Sequence, residues 1–308
     1  MSRRGAVLFA ALCVIWGIPY LLIRVAVSEV SPAFLVFVRT GLAALLLLPL
    51  AARRGQLRPL LPQWRWLLLF AATEIAVPWF LLSRAEEHLT SSLTGLLIAA
   101  VPLIGALITA RDGGAHRLDR RAWSGLLVGF LGVGALVGLD FGRVGLGPLL
   151  EVCVVVVGYA CGPLILARRL ASLPSLGVIS AALALTAAVY ATPALLQMPA
   201  HLRTDVALAL AGLAVVCTAG AFIVFFALIA SIGPVRATVV TYVNPAVAAV
   251  LGVLILSERF TTGMGVGFGL VLAGSVLAAG GRRLKREPAA GDHFQPSGDT
   301  AAVSRTSL

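Results

Sequence analysis

Long apolar stretches alternate with short polar connections along most of this chain. They lie at about 6–27, 33–51, 65–83, 91–110, 123–139, 147–167, 175–197, 206–229, 235–256 and 263–280. An α-helix needs about 20 predominantly apolar residues to cross the hydrocarbon core of a bilayer. The pattern therefore predicts an all-α membrane protein with ten transmembrane helices. The connections are too short to hold a soluble domain. Beyond Gly281 the chain turns basic, then rich in Pro, Ser, Asp and Thr, and 282–308 reads as a disordered cytoplasmic tail.

Composition agrees with a lipid solvent. Hydrophobic residues make up 59% of the chain and charged residues 12%, with a mean hydropathy of +0.99. A soluble domain carries about twice that charged fraction, because water must be met by polar groups. Arg3 and Arg4 before the first apolar run imitate a secretory signal. The run continues through Trp16 and Gly17 without a convincing small-x-small cleavage site, and many further spans follow, so it reads as an uncleaved first helix.

The net charge of +11 raises nucleic-acid binding, but the placement of the charges argues against it. With the N-terminus inside, 18 of the 24 Lys and Arg residues fall in inner segments and four (Arg84, Arg143, Arg203, Arg259) in outer ones. Arg24 and Arg39 lie within spans. That asymmetry is the positive-inside signature, and it predicts a multi-pass cell-membrane protein with both termini cytoplasmic. Cys13, Cys153, Cys161 and Cys217 sit inside apolar runs, with no C-x-x-C and no nearby histidine. They read as small apolar fillers; no metal site and no cofactor is indicated.

The chain also repeats itself. Trp16-Gly17 has its counterpart in Gly158-Tyr159, 141 residues on; Pro102 in Pro245, 143 on; Gly125 and Gly132 in Gly267 and Gly274, 142 on. Five helices per half is an odd number, so the second copy must enter the membrane from the other side. Residues 1–140 and 147–281 thus read as two inverted five-helix repeats, an architecture that recurs in secondary transporters.

These residues carry a family resemblance. Thr241-Tyr242-Val243-Asn244-Pro245, then Leu256-Ser257-Glu258-Arg259-Phe260-Thr261 and the Gly267/Gly274 helix, resemble the ten-helix EamA-type carriers of the drug/metabolite transporter superfamily. Trp16-Gly17 and Arg39-Thr40-Gly41 match in the first half. The resemblance extends over 6–281. It implies a carrier for a small metabolite or drug-like compound, most naturally an exporter. The first half departs from the pattern, having Arg111-Asp112-Gly113-Gly114 where the second half supplies Glu258.

Glu74 is the most informative residue, near the middle of the third span, where an ionised side chain costs about 2.5–3.5 kcal/mol. Arg39 falls at similar depth on the second span, so the two are expected either to line a polar cavity or to form a structural ion pair. Arg24, near an outer end, reads as a snorkelling residue. Pro78, Pro102, Pro163 and Pro245 each free the carbonyl four residues earlier and are expected to break helices around a cavity or to kink them. Thr238, Thr241, Tyr242 and Pro245 share one helical face, and Ser91, Thr94, Gly95, Ile98 and Pro102 another. These faces, with Asn244, suit cavity lining or close packing equally. Trp16, Tyr20, Trp79 and Tyr159 are candidate aromatic walls, and Glu258 is an outer-end charge that anchors or gates. The glycines of the fifth and tenth spans suit helix packing or a homodimer.

The expected partners are a small-molecule substrate and the lipid bilayer, with no nucleic acid. ATP drive is unsupported: a Walker A loop needs a glycine-rich turn before lysine, and Lys285 follows Leu284. Two alternatives remain, a non-transporting sensor or scaffold and a lipid-handling membrane enzyme. Catalysis would need clustered acids, histidines or a nucleophile with its base, and His88, His116, His201 and His293 all fall in loops or the tail.

Overall fold

The computed structural model describes residues 2–111, 120–138 and 145–280, and the tail expected at 282–308 lies outside them. Among the described residues every regular element is helical. The first half comprises α1 (Arg3–Ala26), α2 (Pro32–Arg53), a 3-10 turn at Arg58–Gln63, α3 (Trp64–Phe70), α4 (Val77–Ala85), α5 (Ser91–Ile98), α6 (Val101–Arg111) and α7 (Arg120–Gly138). The second comprises α8 (Leu146–Arg169), α9 (Ser175–Leu196), α10 (Thr204–Ala211), α11 (Ala221–Ile232), α12 (Pro234–Ala237), α13 (Val240–Leu256) and α14 (Thr262–Gly280). Two π-helical segments, Ala71–Ala76 and Gly212–Gly220, join α3 to α4 and α10 to α11.

Among the described residues, eight continuous helical runs are long and apolar enough to cross a membrane, and Val240–Leu256 and Thr262–Ala278 are shorter apolar helices. Their boundaries follow local chemistry. Ser31 accepts from the Phe34 N–H with Pro32 behind it, and Thr90 accepts from the Leu93 N–H, so α2 and α5 start on capped turns. Large apolar side chains such as Leu45, Leu131, Leu208 and Leu254 point outward, the arrangement that lipid rather than water favours.

The packing maps onto itself when the halves are exchanged. Helix α2 lies along α9 and α7 along α14, while α1 packs on α10–α11 and α8 on α3–α4. The α7–α14 contact is antiparallel. A Cβ on Gly125 would meet the Ala278 nitrogen at 2.5 Å and the Gly274 oxygen at 2.7 Å, and one on Gly132 would meet the Gly267 oxygen at 2.7 Å. Each glycine thus faces the counterpart of the other, as a two-fold between the halves demands. Small residues let these backbones touch where lipid supplies no hydrophobic drive. Gly125, Gly132, Gly267 and Gly274 are therefore used in packing within the chain.

The helix breaks differ from the expectation. Pro78 follows the first π segment, and Pro102 follows the interruption at Ala99–Ala100, so both mark breaks. Pro163 and Pro245 do not, because α8 and α13 run through them without interruption. A proline deletes one backbone bond, and a long helix held by packing on both sides of the gap stays continuous. The second π segment contains no proline at all. It begins 141 residues after the first, in step with the sequence repeat.

Candidate functional site

A group of polar and aromatic side chains surrounds Arg39, on the buried face of α2. Its side chain is only 5% exposed. Nε donates to the Thr218 hydroxyl at 3.0 Å, and the guanidinium lies 3.6 Å from the Trp79 ring centroid. Stacking on indole suits the weakly hydrated guanidinium. Thr218 in turn donates to the Leu213 carbonyl five residues back, at 2.8 Å. That bond belongs to the wide turn of the second π segment, so the segment's geometry holds the hydroxyl in reach of Arg39. Segments of this type recur at functional sites.

Tyr20 from α1, Tyr159 from α8, Cys217 and Glu86 are the titratable groups surrounding the guanidinium. Tyr20 is buried beside Gly95 of α5, and Tyr159 lies within hydrogen-bonding reach of the Trp79 indole. Five stretches of chain from both halves therefore converge here.

Glu74 lies elsewhere than expected. It sits in the first π segment with its side chain against Gly162 of α8, and its Oε2 is buried with no hydrogen-bond partner. Among the described residues no ion pair joins it to Arg39, which is engaged by Thr218 and Trp79 instead. The π segment that carries Glu74 presents it to α8 instead of to α2. Of the groups around Arg39, Tyr159 is the one that also senses Glu74.

The other candidates separate. Trp16 packs against Phe222 and Phe225 of α11, with ring centroids 6.4 and 5.0 Å away. Thr238 and Thr241 are exposed, and the Thr241 hydroxyl turns back onto the Thr238 carbonyl. Tyr242 is half-buried on the same helix. With its amide turned as its neighbours require, Asn244 donates to the carbonyls of Thr241 and Val240. Pro245 is buried, and Thr94 spends its hydroxyl on the Thr90 carbonyl. Packing and backbone bonding thus account for much of these two faces. Arg24 reaches the carbonyls of Glu86 and Glu87, which anchors it.

Glu258 spans the two halves. Its Oε1 accepts from the Ser91 N–H at 2.8 Å, and its Oε2 from the Ser92 N–H at 2.9 Å and the Ser92 hydroxyl at 2.5 Å. A carboxylate at a helix N-terminus satisfies donors that have no partner within the helix. The approach depends on two local features: Ser257 takes a left-handed conformation (φ 54°) to end α13, and Gly252 leaves room for Glu258 and Ser92.

Relatives place this architecture. The profile of the EamA-like transporter family matches residues 3–138 and 147–280. The chain belongs to the EamA-like transporter family. It is a multi-pass membrane protein and a membrane transporter, as the family implies. Over 294 residues it is 26% identical to the "Uncharacterized inner membrane transporter YedA" of Escherichia coli strain K12, covering 89% of this chain and 90% of that protein. The protein of the same name from Escherichia coli O157:H7 matches to the same extent. A protein of known crystal structure superposes with a TM-score of 0.64 over 89% of this chain and 96% of its own, at 21% identity. That likeness supports the fold alone.

Sequence reasoning on this EamA-like chain missed Thr218 and Glu86. Thr218 has no signal in a periodic reading, since its role comes from a π turn that no proline announces. Glu86 stands beside Glu87 and His88 in the short connection between two apolar stretches, where nothing in the residue pattern singles it out.

Proposed function

We propose that this chain is a secondary transporter that exports a small metabolite or drug-like compound by alternating access, with an anionic group of the substrate held at Arg39. Its frame is two inverted five-helix repeats of ten spans, at 1–140 and 147–281, with both termini cytoplasmic. The observation that carries the reading is a guanidinium 5% exposed in the core, stacked on Trp79 and without a carboxylate partner among the described residues. A charge buried this way is costly unless something compensates it. One hydroxyl and one aromatic face supply part of the compensation, and a substrate anion supplies the rest during transport.

Alternating access asks for an end that can open and close. Glu258 closes the outer end by tying the α13–α14 corner to α5 across the two halves. Tyr20, Trp79 and Tyr159 form the walls around Arg39, and Glu74 adds a carboxyl on the α8 side. Helices α5 and α13 meet next to this group, with Gly95 against Ala248.

Efflux and uptake of a labelled metabolite panel in proteoliposomes tests the assignment. Anionic compounds are expected to move and to compete with one another. Arg39→Lys keeps the charge but loses the planar stack and the fork of donors, so at least about a tenfold loss of transport is expected, the loss of one charge-assisted hydrogen bond. Undiminished transport by Arg39→Lys at equal membrane abundance would overturn the substrate role. A protein that moves nothing from a broad panel counts against the carrier itself.

A further inference from the structure

Glu86 follows α4 at the outer end and has a setting unlike its loop neighbours. It is 0% exposed, and both carboxyl oxygens are buried without a hydrogen-bond partner. Arg24 donates no hydrogen bond to them, because its guanidinium is bonded to the backbone carbonyls of Glu86 (2.5 Å) and Glu87 (3.2 Å). The titratable and charged groups facing Glu86 are Glu258 from the α13–α14 connection, Arg24 and Tyr20 from α1, Arg39 from α2 and Tyr159 from α8. A buried carboxylate without donors is strongly unfavourable, whereas a neutral carboxyl fits the same space. Burial first, and then the Glu258 carboxylate, push the Glu86 carboxyl well above the usual carboxylate range, while Arg24 and Arg39 pull the other way.

We propose that Glu86 is an outer proton-binding site that operates the Glu258 latch. With the proton bound, Glu258 keeps its three hydrogen bonds to the start of α5 and the outer end stays shut. When the proton leaves to the outer water, Glu86 becomes an anion beside a second anion. The repulsion drives the α13–α14 corner off α5, where both carboxylates reach water. The closed state binds this proton more tightly than the open one, so low outer pH favours closure. Closure weakens as pH rises above the ordinary glutamate range. One linked proton changes the closed-to-open ratio by up to about tenfold per pH unit.

The consequence for transport rests on the alternating-access reading, but the latch can be measured without any substrate. Hydrogen exchange over the Ser91–Ile98 peptide is followed in the full chain in lipid nanodiscs between about pH 5 and pH 8, with the intrinsic pH dependence of exchange divided out. In the wild type, protection is expected to fall as pH rises. In Glu86→Gln, which keeps the shape and cannot ionise, protection should stay high and flat. In Glu258→Gln it should be low throughout, and in Glu86→Asp the fall should persist at a displaced pH. A flat wild-type profile, or a wild-type slope retained in Glu86→Gln, overturns the proposal. The wild-type profile decides even if a variant fails to fold. Lost transport with an intact exchange profile tells against the carrier reading and leaves the switch standing.

Discussion

Replacing Gly125 by alanine is a direct test of the interface between the halves. The added methyl would sit 2.5 Å from the Ala278 nitrogen and 2.7 Å from the Gly274 oxygen. Ordinary contact begins at 3.4 Å, so the shortfall against Ala278 is 3.4 − 2.5 = 0.9 Å. Both obstacles are backbone atoms of α14, which cannot turn aside as a side-chain end can, so the helices must separate by nearly that amount. Overpacking of a close-packed site costs about 1–3 kcal/mol. Alanine also favours helix over glycine by up to about 1 kcal/mol, which would blur a comparison with the wild type. Gly134 removes the ambiguity: it lies on the same helix, and a methyl there meets nothing within 4 Å. The propensity gain cancels between the two variants, leaving Gly125→Ala less stable than Gly134→Ala by about 1–3 kcal/mol. Thermal unfolding of the purified protein in detergent, read by loss of the monodisperse elution peak, should show a midpoint lower by several degrees. Equal midpoints would refute the close approach of α7 and α14 and, with it, the antiparallel register of the counterpart glycines.

Two further outcomes are expected. Gly252→Ala places a methyl against Ser92 and Glu258, and losing charge-assisted bonds worth about 1.5–3 kcal/mol each should speed exchange over Ser91–Ile98 by at least about tenfold; unchanged exchange would show that Glu258 does not hold α5. Glu74→Gln should keep the fold, since the buried Oε2 has no partner to lose, and should reduce whatever pH dependence of transport survives in Glu86→Gln; a double variant with the pH profile of Glu86→Gln alone would retire a proton role for Glu74.

The sequence reached the membrane class, the positions of the apolar helices and the family through one physical cause. Lipid forces every backbone group to bond within its own helix, so each crossing must appear locally as an unbroken apolar run. The glycine spacing also carried the repeat, because close backbone approach selects residue type directly at Gly125, Gly132, Gly267 and Gly274.

The grouping of side chains around Arg39 was decided by tertiary structure. Sequence position puts Arg39 and Glu74 at similar expected depth, yet the structure turns one to Thr218 and Trp79 and the other to Gly162. Thr218 acts across 179 residues of sequence and Glu258 across 167, distances over which no local periodicity carries information. Proline was a poor guide for the same reason: it removes a bond wherever it stands, but neighbouring helices decide whether the chain breaks there, as at Pro78 and Pro102, or runs on, as at Pro163 and Pro245. Nothing local distinguishes Glu86 from Glu87 and His88 beside it, and tertiary packing alone took its water away. Residue types and their spacing set which segments enter the bilayer; which polar groups then meet, and which are left without partners, follows from how the two halves pack.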